Sequence, residues 1–167
     1  GVGDVDGDGN IDVLVGAHGA DAGGTDRGRA YLFLGPLSGT IGLNAADTII
    51  SGNSNGDGLG LAVAGAGDVN SDGYMDILIG APNADNGGSD SGASYLFYGP
   101  VQPGSLAASA ADAVFSGEAA GDNSGWSLSG GGDVDGDGID DFLIGARFES
   151  TGATDAGAVY LIEGHSN

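Results

Sequence analysis

Asp4, Asp6, Asp8 and Asp12 stand at positions 1, 3, 5 and 9 of a nine-residue stretch with Gly9 at position 6. The pattern recurs as Asp68, Asn70, Asp72 and Asp76 around Gly73, and again as Asp133, Asp135, Asp137 and Asp141 around Gly138. So many carboxylates in nine residues repel one another strongly unless a cation sits among them. Donors that are all oxygen, without His or Cys, select a hard cation. Mg2+ takes fewer protein ligands and keeps more water, so the set points to Ca2+, at three sites. The backbone carbonyls of Asn10, Tyr74 and Ile139, at position 7, are the natural fifth protein ligands. Water then completes six or seven oxygens at about 2.3–2.6 Å.

An EF-hand loop starts the same way but closes with a bidentate Glu at position 12. Position 12 here is Val15, Ile79 or Ile144, all aliphatic. The ninth-residue Asp closes each loop instead. Ion and loop therefore form a structural staple rather than a sensor. The second loop has Asn70 in place of a carboxylate and is expected to bind more weakly, because ligand charge tunes affinity.

No catalytic constellation accompanies these loops, and the chain is read as no enzyme. His18 and His165 are the only histidines, and no third group is placed to orient either as a base. Gly125-Trp126-Ser127-Leu128-Ser129 breaks the nucleophile-elbow pattern at its last position. A phosphate loop has no Lys to complete it. Asp140 and Asp141 are adjacent in a strand, so they point to opposite faces, with Asp140 expected in solvent and Asp141 at the metal.

The formal charge of the 167 residues is −21, with only 3 basic residues. About half of the acidity lies in the three loops. Such a chain repels phosphate backbones and anionic lipid heads, which excludes nucleic acid and membrane surfaces as partners. Cys is absent, so no disulfide framework or thiol chemistry is present. No apolar run reaches the length of a membrane span.

The loops are also a ruler. Asp4 to Asp68 is 64 residues and Asp68 to Asp133 is 65. After each loop comes an apolar run ending in Gly-Ala: Val13–Ala17, Ile77–Ala81 and Phe142–Ala146. A second run follows at Ala30–Gly35, Ser94–Gly99 and Val159–Gly164, and a third at Asp47–Gly52 and Asp112–Gly117. A fourth, at Leu61–Gly65 and Trp126–Gly130, leads into the next loop. These short runs are Gly-bounded and rich in Val, Ile, Phe and Tyr, which is strand chemistry without a helical period. The fold class is all-β. Four antiparallel strands per unit match a propeller blade. Ile77-Leu78-Ile79 is apolar on both faces, as expected of a strand buried between blades.

The combined pattern resembles the FG-GAP repeat of integrin α-subunit propellers. That family has a Phe-Gly, a small-residue strand, the Asp loop and a strand ending in Gly-Ala-Pro. Here the last is Gly80-Ala81-Pro82, while the other units have Gly16-Ala17-His18 and Gly145-Ala146-Arg147. Leu59-Gly60 and Ser124-Gly125 stand at the Phe-Gly position. The resemblance implies a calcium-binding propeller that is extracellular and adhesive. It also leaves open an accessory propeller of a larger secreted enzyme, since fold alone does not fix function.

The phase of the repeat predicts ten strands: residues 1–52 form a blade lacking its first strand, 53–117 a complete blade and 118–167 a blade lacking its last. Open edges of this kind predict an excerpt of a longer array, or a self-assembling subunit of a surface filament or layer that associates through its blade edges. The polar segments His18–Gly28, Asn83–Gly92 and Phe148–Gly157 join equivalent strands and are expected on the face opposite the calcium loops. That face is the candidate for a protein or glycan ligand, with Arg27, Arg29 and Arg147 as its cationic anchors. Trp126 is expected between blades.

Overall fold

The computed structural model describes residues 1–166. Its strands are β1 (Val13–Ala17), β2 (Arg29–Phe33), β3 (Thr48–Ser51), β4 (Val63–Gly67), β5 (Asp76–Ala81), β6 (Ala93–Phe97), β7 (Gly104–Ala107), β8 (Ala113–Ser116), β9 (Ser124–Gly132), β10 (Asp141–Ala146) and β11 (Ala158–Ile162). They form three sheets, ordered β1-β2-β3-β7, β4-β5-β6-β8 and β9-β10-β11. The second sheet is an antiparallel meander, and the other two repeat parts of it. A trace of an inner strand remains in the first sheet, where Gly3 bridges Asp12.

All ten expected strands form, and β7 is an eleventh. It leaves the second unit, between β6 and β8, and pairs in parallel with β3 of the first sheet. Gly104-Ser105-Leu106-Ala107 has no β-branched residue, so its strand character comes from the edge it joins and not from propensity.

The sheets pack face to face. Leu14, Leu32 and Ile50 of the first meet Ile77, Ile79, Tyr95 and Phe97 of the second in one core. Leu78 and Leu96, on the other side of the second sheet, meet Phe142 and Ile144 of the third in another. All six residues of β5 are buried, because this strand has a sheet on each side. Each such Ile or Leu contributes about 1.5–3 kcal/mol by leaving water. On the third sheet Val159 and Leu161 stay exposed.

Main chain also interlocks the sheets. A Cβ on Gly80 would lie 2.1 Å from the Gly125 carbonyl oxygen, and one on Gly16 would lie 2.0 Å from that of Gly60. Only glycine permits this approach. The two dipeptides seated there, Leu59-Gly60 and Ser124-Gly125, are the ones aligned with the family's Phe-Gly. The equivalent Gly145 meets only Ser127 of its own sheet.

Candidate metal centres

The second and third nine-residue loops join β4 to β5 and β9 to β10, the first runs from the Gly3–Asp12 bridge into β1, and backbone amides fold each around its own carboxylates. The position-1 Asp accepts more of them than any other residue. Asp4 takes the amides of Gly7 at 2.8 Å and Gly9 at 2.9 Å. Asp68 takes Asp72 and Gly73, and Asp133 takes Gly136, Asp137 and Gly138. Position 3 accepts from the amide of position 5, at 3.1 Å for Asp6 and Asn70 and 3.0 Å for Asp135. Position 5 accepts from the amide of position 7: Asp8 from Asn10, Asp72 from Tyr74, Asp137 from Ile139. These are Asx turns in series, held by the loop's own spacing.

The ninth residue does different work. Asp12, Asp76 and Asp141 are buried. One oxygen of each accepts from the amide of position 2: Val5 at 2.7 Å, Val69 at 2.9 Å and Val134 at 2.7 Å. The other accepts from the glycine that follows the second strand after the loop: Gly35 at 2.8 Å, Gly99 at 2.9 Å and Gly164 at 2.9 Å. This Asp therefore pins the loop to the sheet whatever else it binds.

Carboxylate oxygens of Asp4, Asp6 and Asp8 lie within 4.8 Å of one another, as do those of Asp133, Asp135 and Asp141. Loss of hydration raises the Asp6 carboxyl above its ordinary value; the Asp8 amide opposes this, and the charges of Asp8, Asp12 and Asp4 add to it. A converging, all-oxygen set with mutual repulsion fits a hard divalent cation.

In the second loop, Asn70 is buried and its amide nitrogen donates to Asp72 at 2.8 Å. An amide here removes one negative charge and occupies a neighbouring carboxylate. Burial pushes Asp76 up to about 6, against the pull of the Gly99 and Val69 amides, and Asp72 and Asp68 raise it further. Asp141 moves the other way, since the Gly164 and Val134 amides outweigh its desolvation. The second sheet is covered on both faces and the third on one, which accounts for the difference in desolvation.

Asp140 departs from its expected place in solvent. It is half-buried, and its Oδ2 accepts from the Asp68 amide at 3.0 Å. Its own amide donates to the Asp68 carbonyl at 3.3 Å. Met75, at the equivalent position, donates to the Asp4 carbonyl at 3.2 Å. Successive loops are thus joined through position 8 of one and position 1 of the other. Nothing within a single repeat signals this, because the partner is a full repeat away.

The arginines divide. Arg27 donates to the Asn53 carbonyl, inside the contact between the first two units. Arg147 lies 4.3 Å over the Trp126 ring centroid and 4.6 Å over that of Phe148. Trp126 itself is partly exposed rather than enclosed between sheets, because among the described residues no second sheet covers its side of the third sheet. His18 lines a cleft with Asp26, Gly56, Gly58 and Asn83.

A model of the FG-GAP repeat matches residues 59–97 and 124–162. The chain carries FG-GAP repeats. Each matched FG-GAP segment runs from the dipeptide seated on the preceding sheet to the end of β6 or β11. The chain is 37% identical over 148 residues to integrin alpha-IIb of Mus musculus and to that of Homo sapiens. It is 35% identical over 155 residues to integrin alpha-PS2 of Drosophila melanogaster. These alignments cover 86% of this FG-GAP chain, which spans 14% of the length of either alpha-IIb protein and 11% of alpha-PS2.

Proposed function

We propose that this chain is an extracellular, non-enzymatic adhesion module whose FG-GAP units, 1–52, 53–117 and 118–167, are each stapled by Ca2+. The observation that carries the reading is the set of amide-to-side-chain bonds shared by three loops a repeat apart, with carboxylates converging in two of them. Asp4, Asp6, Asp8 and the Asn10 carbonyl would hold the first ion, with Asp12 beneath them. Asp68, Asn70, Asp72, the Tyr74 carbonyl and Asp76 would hold the second. Asp133, Asp135, Asp137, the Ile139 carbonyl and Asp141 would hold the third. A bound ion neutralises carboxylates that otherwise push the loop open.

Similarity to integrin alpha subunits supports the adhesive and extracellular parts of the reading. The strand ends opposite the calcium loops would then carry a protein or glycan ligand, with the stacked Arg147 as its most accessible cation.

Calorimetric titration with Ca2+ on the chelator-treated chain is expected to show three binding events, the second loop weakest. Calcium should raise the melting temperature and excess chelator should reverse it. A melt indifferent to chelator would remove the staple. Cell or matrix binding that persists without calcium would separate adhesion from it.

A further inference from the structure

The second loop lacks one carboxylate, and a carboxylate from another loop lies beside it. Asp4, Asp6, Asp8 and Asp12 give the first loop four, and Asp133, Asp135, Asp137 and Asp141 give the third four. Asp68, Asp72 and Asp76 give the second only three, because Asn70 stands at position 3. The Asn70 amide nitrogen also takes up Asp72, at 2.8 Å.

The neighbouring carboxylate belongs to Asp140. Position 8 of one loop reaches back to position 1 of the loop before it, and the chain holds two such joints. Met75 donates its amide to the Asp4 carbonyl at 3.2 Å, and Asp140 donates its amide to the Asp68 carbonyl at 3.3 Å. A glycine just ahead of position 1 makes room for each incoming side chain. A Cβ on Gly3 would lie 2.6 Å from Met75 Cγ, and one on Gly67 would lie 2.6 Å from Asp140 Cγ. The backbone of the two joints is therefore the same, and the side chain differs. The loop with four carboxylates of its own receives a neutral thioether, and the loop with three receives a carboxylate. Asp140 Oδ2 accepts from the Asp68 amide at 3.0 Å, which sets its charge one side chain away from any ion that Asp68 binds.

We infer that Asp140, a residue of the third loop, lends the second calcium site part of the negative charge that Asn70 withholds from it. The inference rests on the calcium reading of the second loop. With its Oδ2 held by the Asp68 amide, Asp140 acts from outside the ligand set, through its charge. A carboxylate at that range strengthens the binding of a divalent ion by about three- to tenfold at low ionic strength, and by less as salt screens it. Filling of the second site then depends on the unit that carries the third loop. Calcium affinity becomes a property of two neighbouring units together rather than of one repeat.

Calorimetric titration of the 167-residue chain with Ca2+ tests this. Asp8→Ala and Asp137→Ala together disable the first and third loops; both side chains bond only within their own loops. In that parent, Asp140→Asn should raise the Kd of the second site about three- to tenfold at low salt, and the ratio should shrink in high salt. A purely structural part for Asp140 would leave the ratio indifferent to salt. Asn keeps an oxygen for the Asp68 amide, so the melt in chelator should stay near that of the parent. Adding Asn70→Asp to Asp140→Asn moves the charge into the loop and should restore the affinity. With only the first loop kept, by Asp72→Ala and Asp137→Ala, Asp140→Asn should change nothing. Calcium binding at the second loop that ignores Asp140→Asn overturns the proposal alone. So does an equal loss at the first loop, or a loss that salt does not alter. A parent that binds no calcium overturns both the proposal and the calcium reading of that loop.

Discussion

Asp140 and Asp68 are bonded twice, amide to carbonyl at 3.3 Å and amide to carboxylate at 3.0 Å, although a full repeat separates them. One is position 8 of the third nine-residue loop and the other is position 1 of the second. The loops are therefore rungs of one ladder. Asp140→Ala removes the acceptor for the Asp68 amide and should lower stability by about 1 kcal/mol. Asp140→Asn keeps an oxygen there and should recover most of it. Chemical denaturation of the two variants checks this. Equal losses in both would mean the carboxylate acts by charge and not by bonding.

The loop carboxylates fall into two classes that mutation can separate. Asp12 caps the amides of Val5 and Gly35, so Asp12→Ala leaves both without their acceptor. Each orphaned amide costs about 1–3 kcal/mol, and the loss should appear even in chelator. Asp8 bonds only within its own loop. Asp8→Ala should therefore cost little in chelator and abolish the calcium-dependent gain of the first loop. Paired melts with and without calcium distinguish the two.

Two glycines equivalent in sequence should respond differently to one methyl group. Gly80→Ala would press a Cβ to 2.1 Å from the Gly125 carbonyl oxygen, which is backbone and cannot turn away. The second and third sheets should then shift apart, at about 1–3 kcal/mol or more. Gly145→Ala meets the Ser127 hydroxyl, which can rotate, and should be milder. A Gly80→Ala melt equal to wild type would show that the sheets are not locked by main chain.

Asp57 is a buried carboxyl outside the nine-residue loops. Desolvation raises it above its ordinary 3.8; the Ser54 and Asn53 amides oppose this, Asp85 adds to it and Arg27 opposes it. The folded chain thus holds this proton more tightly than the unfolded chain does. Its contribution to stability is full below pH 3.8 and declines as pH rises through the raised native value. Asp57→Asn keeps the oxygen that the Ser54 amide donates to, at 2.8 Å, and does not titrate. The variant should gain on wild type as pH climbs from 3.8, then hold its lead. Melting curves across the acidic range would show a constant gap if the carboxyl were already ionised throughout.

What could be read in the sequence was what each repeat encodes locally. Val13–Ala17, Ile77–Ala81 and Phe142–Ala146 announce strands, because β-branched and aromatic residues sit between glycines. The loop spacing placed three equivalent turns a repeat apart, each folded by backbone amides around its own acidic residues. The hidden parts were relationships between repeats. Gly104–Ala107 becomes a strand only because β3 offers an edge. Asp140 is drawn from solvent only because Asp68 lies beside it. The clamp by the ninth-residue Asp was masked by its resemblance to a ligand, since a carboxylate suits a cation and two amides equally well.

The strand lent by Gly104–Ala107 puts the sequence repeat and the folding unit out of phase. Residues 53–117 carry β7 away from the β3 it completes, so a segment cut at repeat boundaries holds one half of two different joints. Heat should then melt neighbouring units together, in one cooperative transition, rather than shed them singly. The same offset bears on how such arrays grow. Each duplicated repeat arrives with an arm for the unit before it and an edge for the unit after, so lengthening the array needs no new contact to be invented.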